Sequence, residues 1–107
     1  MDEARRKQFE AIIAAEPDDT LMRFGYARML LGEELAADAA VHLAHAVKVD
    51  PTYSAAWREL GRARTLAGDI AGAREAFELG IPAADAKGDL QTAKEMRVML
   101  GRLLGPT

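Results

Sequence analysis

Apolar positions along the chain fall into six segments, separated by Gly, Pro and Asp. The segments are Glu3 to Ala15, Asp19 to Leu31, Ala36 to Val49, Ser54 to Ala67, Ile70 to Ala86 and Leu90 to Leu104. Alanine is abundant while aromatic and β-branched residues are sparse, so each segment is predicted to be a helix and the fold all-α. Pro17 and Pro51 push the residue before them out of helical geometry, and the Asp and Thr around them suit the start of the next helix. Gly32, Gly68 and Gly88 stand just past helix ends, where a left-handed residue closes the last turn. Connections this short make consecutive helices antiparallel hairpins.

The chain also repeats itself. Phe9, Leu43 and Phe77 are spaced by 34 residues, as are Ile12, Ala46 and Gly80, Ile13, Val47 and Ile81, and the pair Pro17 and Pro51. The intervening helices match best at 36, with Leu21 against Trp57, Phe24-Gly25 against Leu60-Gly61, Ala27 against Ala63 and Leu30 against Leu66. This reading implies that two residues have moved from one turn to another. A period of this length marks a stack of helical hairpins that bury a shared core.

Trp57, Leu60-Gly61, Ala73 and Phe77, with Leu21, Phe24-Gly25, Ala39, Leu43, Ala46 and Pro51 one repeat earlier, resemble the tetratricopeptide repeat (TPR). Arg64 stands where that pattern has Tyr, Gly80 where it has Ala, and Pro82 comes early. The layout is similar to small stand-alone bacterial TPR proteins. The resemblance implies stacked antiparallel hairpins in a short right-handed superhelix of about six helices. It divides the single domain, residues 1–107, into a capping helix (1–16), two repeats (17–51 and 52–86) and a second capping helix (89–104). Gly25, Gly61, Ala39 and Ala73 are expected where backbones cross closely. The expected core is Phe9, Ile12, Ile13, Leu21, Phe24, Ala27, Leu43, Val47, Trp57, Leu60, Leu66, Ile70, Phe77 and Ile81. Replacing Gly61 by a bulky residue is expected to overpack that core.

Composition narrows the function. The 107 residues carry 14 basic and 17 acidic side chains, a net charge of −3. Clustered excess cations are therefore lacking, which argues against a general nucleic-acid or anionic-membrane binder. No apolar run approaches the roughly 20 residues of a membrane span. The chain has no cysteine. That fits a reducing compartment, and the first residues have neither signal-peptide nor transit-peptide character, so a cytoplasmic location is expected.

By resemblance, function belongs on the concave face lined by the first helix of each hairpin, where proteins of this kind bind extended peptides or a partner helix. The helical phase of the pairing above puts Met22, Tyr26 and Met29 on that face in one hairpin and Arg58, Arg62 and Thr65 in the next; the last helix extends it with Arg97, Val98 and Arg102. An apolar half then adjoins a basic half. Guanidinium groups hold carboxylates in a fork, and Met and Tyr adapt to apolar side chains, so the expected ligand is an acidic-hydrophobic segment or a C-terminal carboxylate. The expected function is a non-enzymatic interaction adaptor or scaffold without cofactors, acting as a monomer or weak homodimer. The alternative is a structural subunit that self-associates through its apolar last helix, where Leu90, Met96, Met99, Leu100, Leu103 and Leu104 exceed one buried stripe. Those residues could instead pack on Ala76, Leu79 and Ala83.

A third reading, an enzyme or metal protein, rests on His42 and His45 with Asp38 one turn away. Zinc normally takes four ligands, and these two are the only histidines in a chain without cysteine, so no metal site is expected. No Ser-His-Asp set or phosphate-cradling glycine loop is present either. Gly61-Arg62-Ala63-Arg64 and the glycines at 68 and 72 read as helix contacts and turns, because no strand precedes them.

Overall fold

Three helices begin at an aspartate whose carboxylate accepts the otherwise unpaired N–H three residues on: Asp19 from Met22 (2.9 Å), Asp69 from Gly72 (2.9 Å) and Asp89 from Thr92 (3.3 Å). The computed structural model describes residues 3–105, so the first two residues of the expected cap at 1–16 and the last two of the chain lie outside the described residues. The described residues form α1 (Glu3–Ala15), α2 (Thr20–Gly32), α3 (Ala36–Val49), α4 (Ser54–Leu66), α5 (Ile70–Lys87) and α6 (Leu90–Leu104), with no strand among them. Neighbours in sequence pack as antiparallel hairpins, and α4 also touches α2 and α6. The result is a short right-handed superhelix of stacked hairpins.

Three turns close in one way. The N–H groups of Leu35, Asp69 and Asp89 reach back to the carbonyls of Leu30, Arg64 and Ala84, each at 2.9 Å. Just before them, the N–H groups of Glu34, Gly68 and Gly88 reach Leu31, Thr65 and Asp85 at 3.1 Å. This double bond pattern requires a left-handed residue at its centre. Gly68 and Gly88 supply it at φ +83° and +81°, but the first turn uses Glu34 at φ +62° rather than Gly32, which ends α2 as an ordinary helical residue. A side chain in this region crowds its own backbone. Glu34→Gly is therefore expected to stabilise the protein by about 0.5–1 kcal/mol, the relief of strain outweighing the added freedom of the unfolded chain. A urea midpoint that shifts upward for this variant checks it.

The turns also settle the register. Thr20 and Ser54 open equivalent helices 34 residues apart, and Leu35 and Asp69 are likewise separated by 34. Arg23, not Leu21, is the counterpart of Trp57: Arg23 Nε donates to the Pro17 carbonyl at 2.6 Å and Trp57 Nε1 to the Pro51 carbonyl at 2.8 Å. The 36-residue match between α2 and α4 is thereby overturned, and Tyr26-Ala27 replaces Phe24-Gly25 as the counterpart of Leu60-Gly61. A step of 36 does occur one repeat later, from Ser54 to Leu90. There α5 runs through the exposed Pro82 and on to Lys87. On the solvent side a proline costs a backbone hydrogen bond without a clash in the core.

The core follows the corrected register. Tyr26, Ala27, Leu30, Leu31, Leu43, Val47, Ala56 and Leu60 are buried in one cluster, and Ala73, Phe77, Ala84, Ala93 and Met96 in a second. Ile13 is buried and Phe9, Phe24, Trp57 and Ile81 are half-buried against these clusters. Ile12, Leu21, Leu66 and Ile70, expected inside, are exposed, Leu21 to 71% and Leu66 to 61%. Among the close crossings, Ala39 and Ala73 are fully buried and Gly61 abuts Phe77. Gly25 is different, since a Cβ there would meet nothing within 4 Å.

Candidate functional site

The side by side packing of α4 and α6 leaves an open hollow of about 390 Å³ between their C-terminal halves. Phe77, reaching in from α5, forms its floor with Met99 and Leu103, while Leu66, Thr65 and the guanidinium groups of Arg62 and Arg102 complete the wall. Thr65 donates its hydroxyl to the Gly61 carbonyl, 2.8 Å away. Arg62 Nη1 bonds Glu59 at 3.2 Å, one turn back on the same helix. Glu59 is buried and also takes Arg58 Nε at 3.4 Å; Arg58 in turn bridges to Glu95 of α6 at 2.9 Å. The arrangement offers an apolar pit with two half-solvated cations at its edge. Such a pit can take an apolar side chain while a neighbouring carboxylate meets a guanidinium.

The nine residues expected on the groove separate into distinct places, with Val98 exposed on α6. Arg62, Thr65 and Arg102 gather at this hollow. Arg58 stands beside it but is half-buried and committed to two carboxylates. Arg97 points to α5, where it pairs with Asp85. Met22 and Met29 line a separate hollow on α2 with Asp19, Leu21, Phe24, Gly25 and Arg28. Tyr26 is not on the groove at all: it is 3% exposed, stacked on Phe9 at 5.1 Å and 8°, with its hydroxyl donating to Glu10 at 3.1 Å. Burial, followed by the nearby Glu10 carboxylate, raises its pKa. The pit residues Leu66, Phe77, Met99 and Leu103 were not among those expected. The spacing of Met99 and Leu103, four apart on the last helix, is the signal that marks them as one face.

The histidines are occupied separately. His42 Nδ1 accepts from Arg23 Nη1 at 3.1 Å, and His45 Nε2 lies 2.8 Å from Asp18. Burial, then the Arg23 charge, lowers the pKa of His42; Asp38 and Glu10 act in the opposite sense. No group of three or more metal-ligating side chains occurs among the described residues. Asp89 is the other notable acid. The Ser54 hydroxyl, 2.6 Å away, and the Thr92 hydroxyl and N–H hold its carboxyl below the ordinary range, which fastens the start of α6 to α4.

Comparison with known proteins agrees with this architecture. The chain is 47% identical over 94 residues to a TPR repeat-containing protein of Pseudomonas aeruginosa, covering 88% of this chain and 90% of the relative. A Bordetella parapertussis protein with a solution structure matches at 42% identity and TM-score 0.75, over 92% of this chain and 85% of its own. A tetratricopeptide repeat domain protein from Salinibacter ruber has the same fold at 22% identity and TM-score 0.75, over 85% and 92% of the two chains. No family model matches the chain. With hairpin stacking, register and this likeness together, the chain belongs to the tetratricopeptide repeat proteins. Proteins of this family generally mediate protein–protein interaction and are generally non-catalytic scaffolds. No helix among the described residues is long and apolar enough to cross a membrane.

Proposed function

We propose that the protein is an interaction adaptor that holds an acidic-hydrophobic peptide segment, or a C-terminal carboxylate next to an apolar residue, in the hollow between α4 and α6. The observation that carries this reading is the pit floored by Phe77, Met99 and Leu103 with Arg62 and Arg102 at its edge. An apolar side chain entering the pit removes its own surface and that of Leu66 from water. A carboxylate beside it competes with Glu59 for Arg62 and meets Arg102 directly. Helices α4, α5 and α6 hold the pit before any ligand arrives, so most of the ordering cost falls on the peptide. The groove is assigned to Arg62, Thr65 and Arg102, with Arg58 as a support held by Glu95; the second repeat, residues 52–86, and the capping helix, residues 89–104, build it.

A panel of fluorescently labelled peptides, with Leu or Phe beside Asp or Glu and with free or amidated C-termini, tests the assignment by anisotropy. The intact protein is expected to bind the acidic members, and Arg62→Glu/Arg102→Glu to weaken them more than tenfold while remaining as helical by circular dichroism. Equal binding by both proteins, or binding indifferent to the acidic residue, would show that the hollow is not the site.

A further inference from the structure

The first hairpin has an open face whose counterparts deeper in the stack are covered. In the corrected register Met22, Gly25 and Met29 on α2 correspond to Ala56, Glu59 and Ala63 on α4, and to Thr92, Glu95 and Met99 on α6. On α4 this face is closed: Ala56 and Ala63 are fully buried in the cluster that α2 and α3 share, and Glu59 is buried with them. On α6 it meets α4, as the Arg58–Glu95 pair records. On α2 the same face borders an open hollow of about 600 Å³, mostly apolar, with Leu21 exposed along it. The translation that relates the repeats therefore leaves room there for one more helix.

Charge and shape on this face indicate which helix. Asp19 lines one end of the hollow and Arg28 the other, nine residues apart on α2. If α2 meets a second α2 running the opposite way, with the twofold axis at the midpoint of that interval, each Asp19 faces the other copy's Arg28. The same alignment sets each Met22 against the other copy's Gly25. Among the described residues nothing uses Gly25, because a Cβ added there meets nothing within 4 Å. A mid-helix glycine weakens a helix relative to alanine, and close approach of another backbone is a use that accounts for it. We propose that a second copy of this chain covers the face, forming a twofold dimer in which the α2 helices cross antiparallel and Met22 fills the gap over Gly25. A twofold contact needs a patch complementary to itself, and an acid and a base at opposite ends of an apolar strip satisfy that condition. The surface is separate from the hollow between α4 and α6, so the peptide reading and this one stand or fall independently.

Gly25→Gln separates association from folding, since glutamine favours the helix and its Cβ meets no neighbour within the chain. In sedimentation equilibrium the intact protein is expected to rise towards twice the monomer mass between micromolar and submillimolar concentration. Gly25→Gln is expected to stay monomeric over the same range, with a melting temperature at low concentration no lower than that of the intact protein. Arg28→Glu, which sets two carboxylates together at each end, is expected to weaken the dimer more than tenfold at low salt. An intact protein that remains monomeric, or association that either variant leaves unchanged, overturns the proposal.

Discussion

Phe77→Ala is expected to cost about 3–5 kcal/mol, the range for deleting a buried aromatic ring and leaving a cavity behind. Phe77 is 1% exposed and is the largest of the fully buried side chains. Its ring packs over Gly61 of α4, lies in the cluster of Ala73, Ala84, Ala93 and Met96, and floors the hollow towards α6. Collapse to fill the void is restricted, because three helices converge on the ring and two of them, α5 and α6, are each fixed by an aspartate cap. For a chain of this size such a loss lowers the melting temperature by on the order of 15 °C or more. Thermal and urea unfolding followed by circular dichroism measure it; a loss below about 1 kcal/mol would mean that the second cluster is looser than its burial indicates.

The reverse change at the same contact is expected to have the next largest effect. In Gly61→Val the new Cβ would sit 2.3 Å from the Phe77 ring, far inside contact distance, before the two methyl groups are counted. The ring can give way only towards the hollow that it floors, losing its packing in the second cluster, or by the separation of α4 and α5. Overpacking of this kind costs about 1–3 kcal/mol, and the β-branched side chain adds nothing to offset it in a helix. Combining Gly61→Val with Phe77→Leu tests the contact itself: the double variant is expected to lose less than the two single losses added together. Additive losses would place the strain elsewhere.

The helices were legible in the sequence because their boundaries are local events. Aspartate caps, prolines and left-handed turns act within three or four residues, and all six segments emerge within two residues of their observed ends. The family resemblance was legible from the second repeat, where Trp57, Leu60-Gly61, Ala73 and Phe77 stand together. The first repeat was misregistered because its counterpart of Trp57 is Arg23, a residue that keeps the hydrogen bond to the proline carbonyl and abandons the aromatic ring. Matching large apolar residues selects Leu21 instead. A shift of two residues turns a helix by about 200°, which carries Tyr26 from the core to the imagined groove and Leu21 from the surface to the imagined core. The pit between α4 and α6 was hidden for another reason: its floor joins residues from three helices, and only the packing brings Phe77, Met99 and Leu103 together.

Trp57 belongs to both hydrophobic clusters, lying against the one built around α2 and α3 and the one shared by α5 and α6. Its Cβ touches the space over Gly80, its indole is tied to the Pro51 carbonyl, and it is the sole tryptophan of the chain. Nature has thus placed the protein's intrinsic fluorophore at the seam between its two halves. Emission from this residue watches that seam and is blind to fraying at α1, so comparing it with the far-ultraviolet signal distinguishes a stack that opens from one end from a stack that parts in the middle.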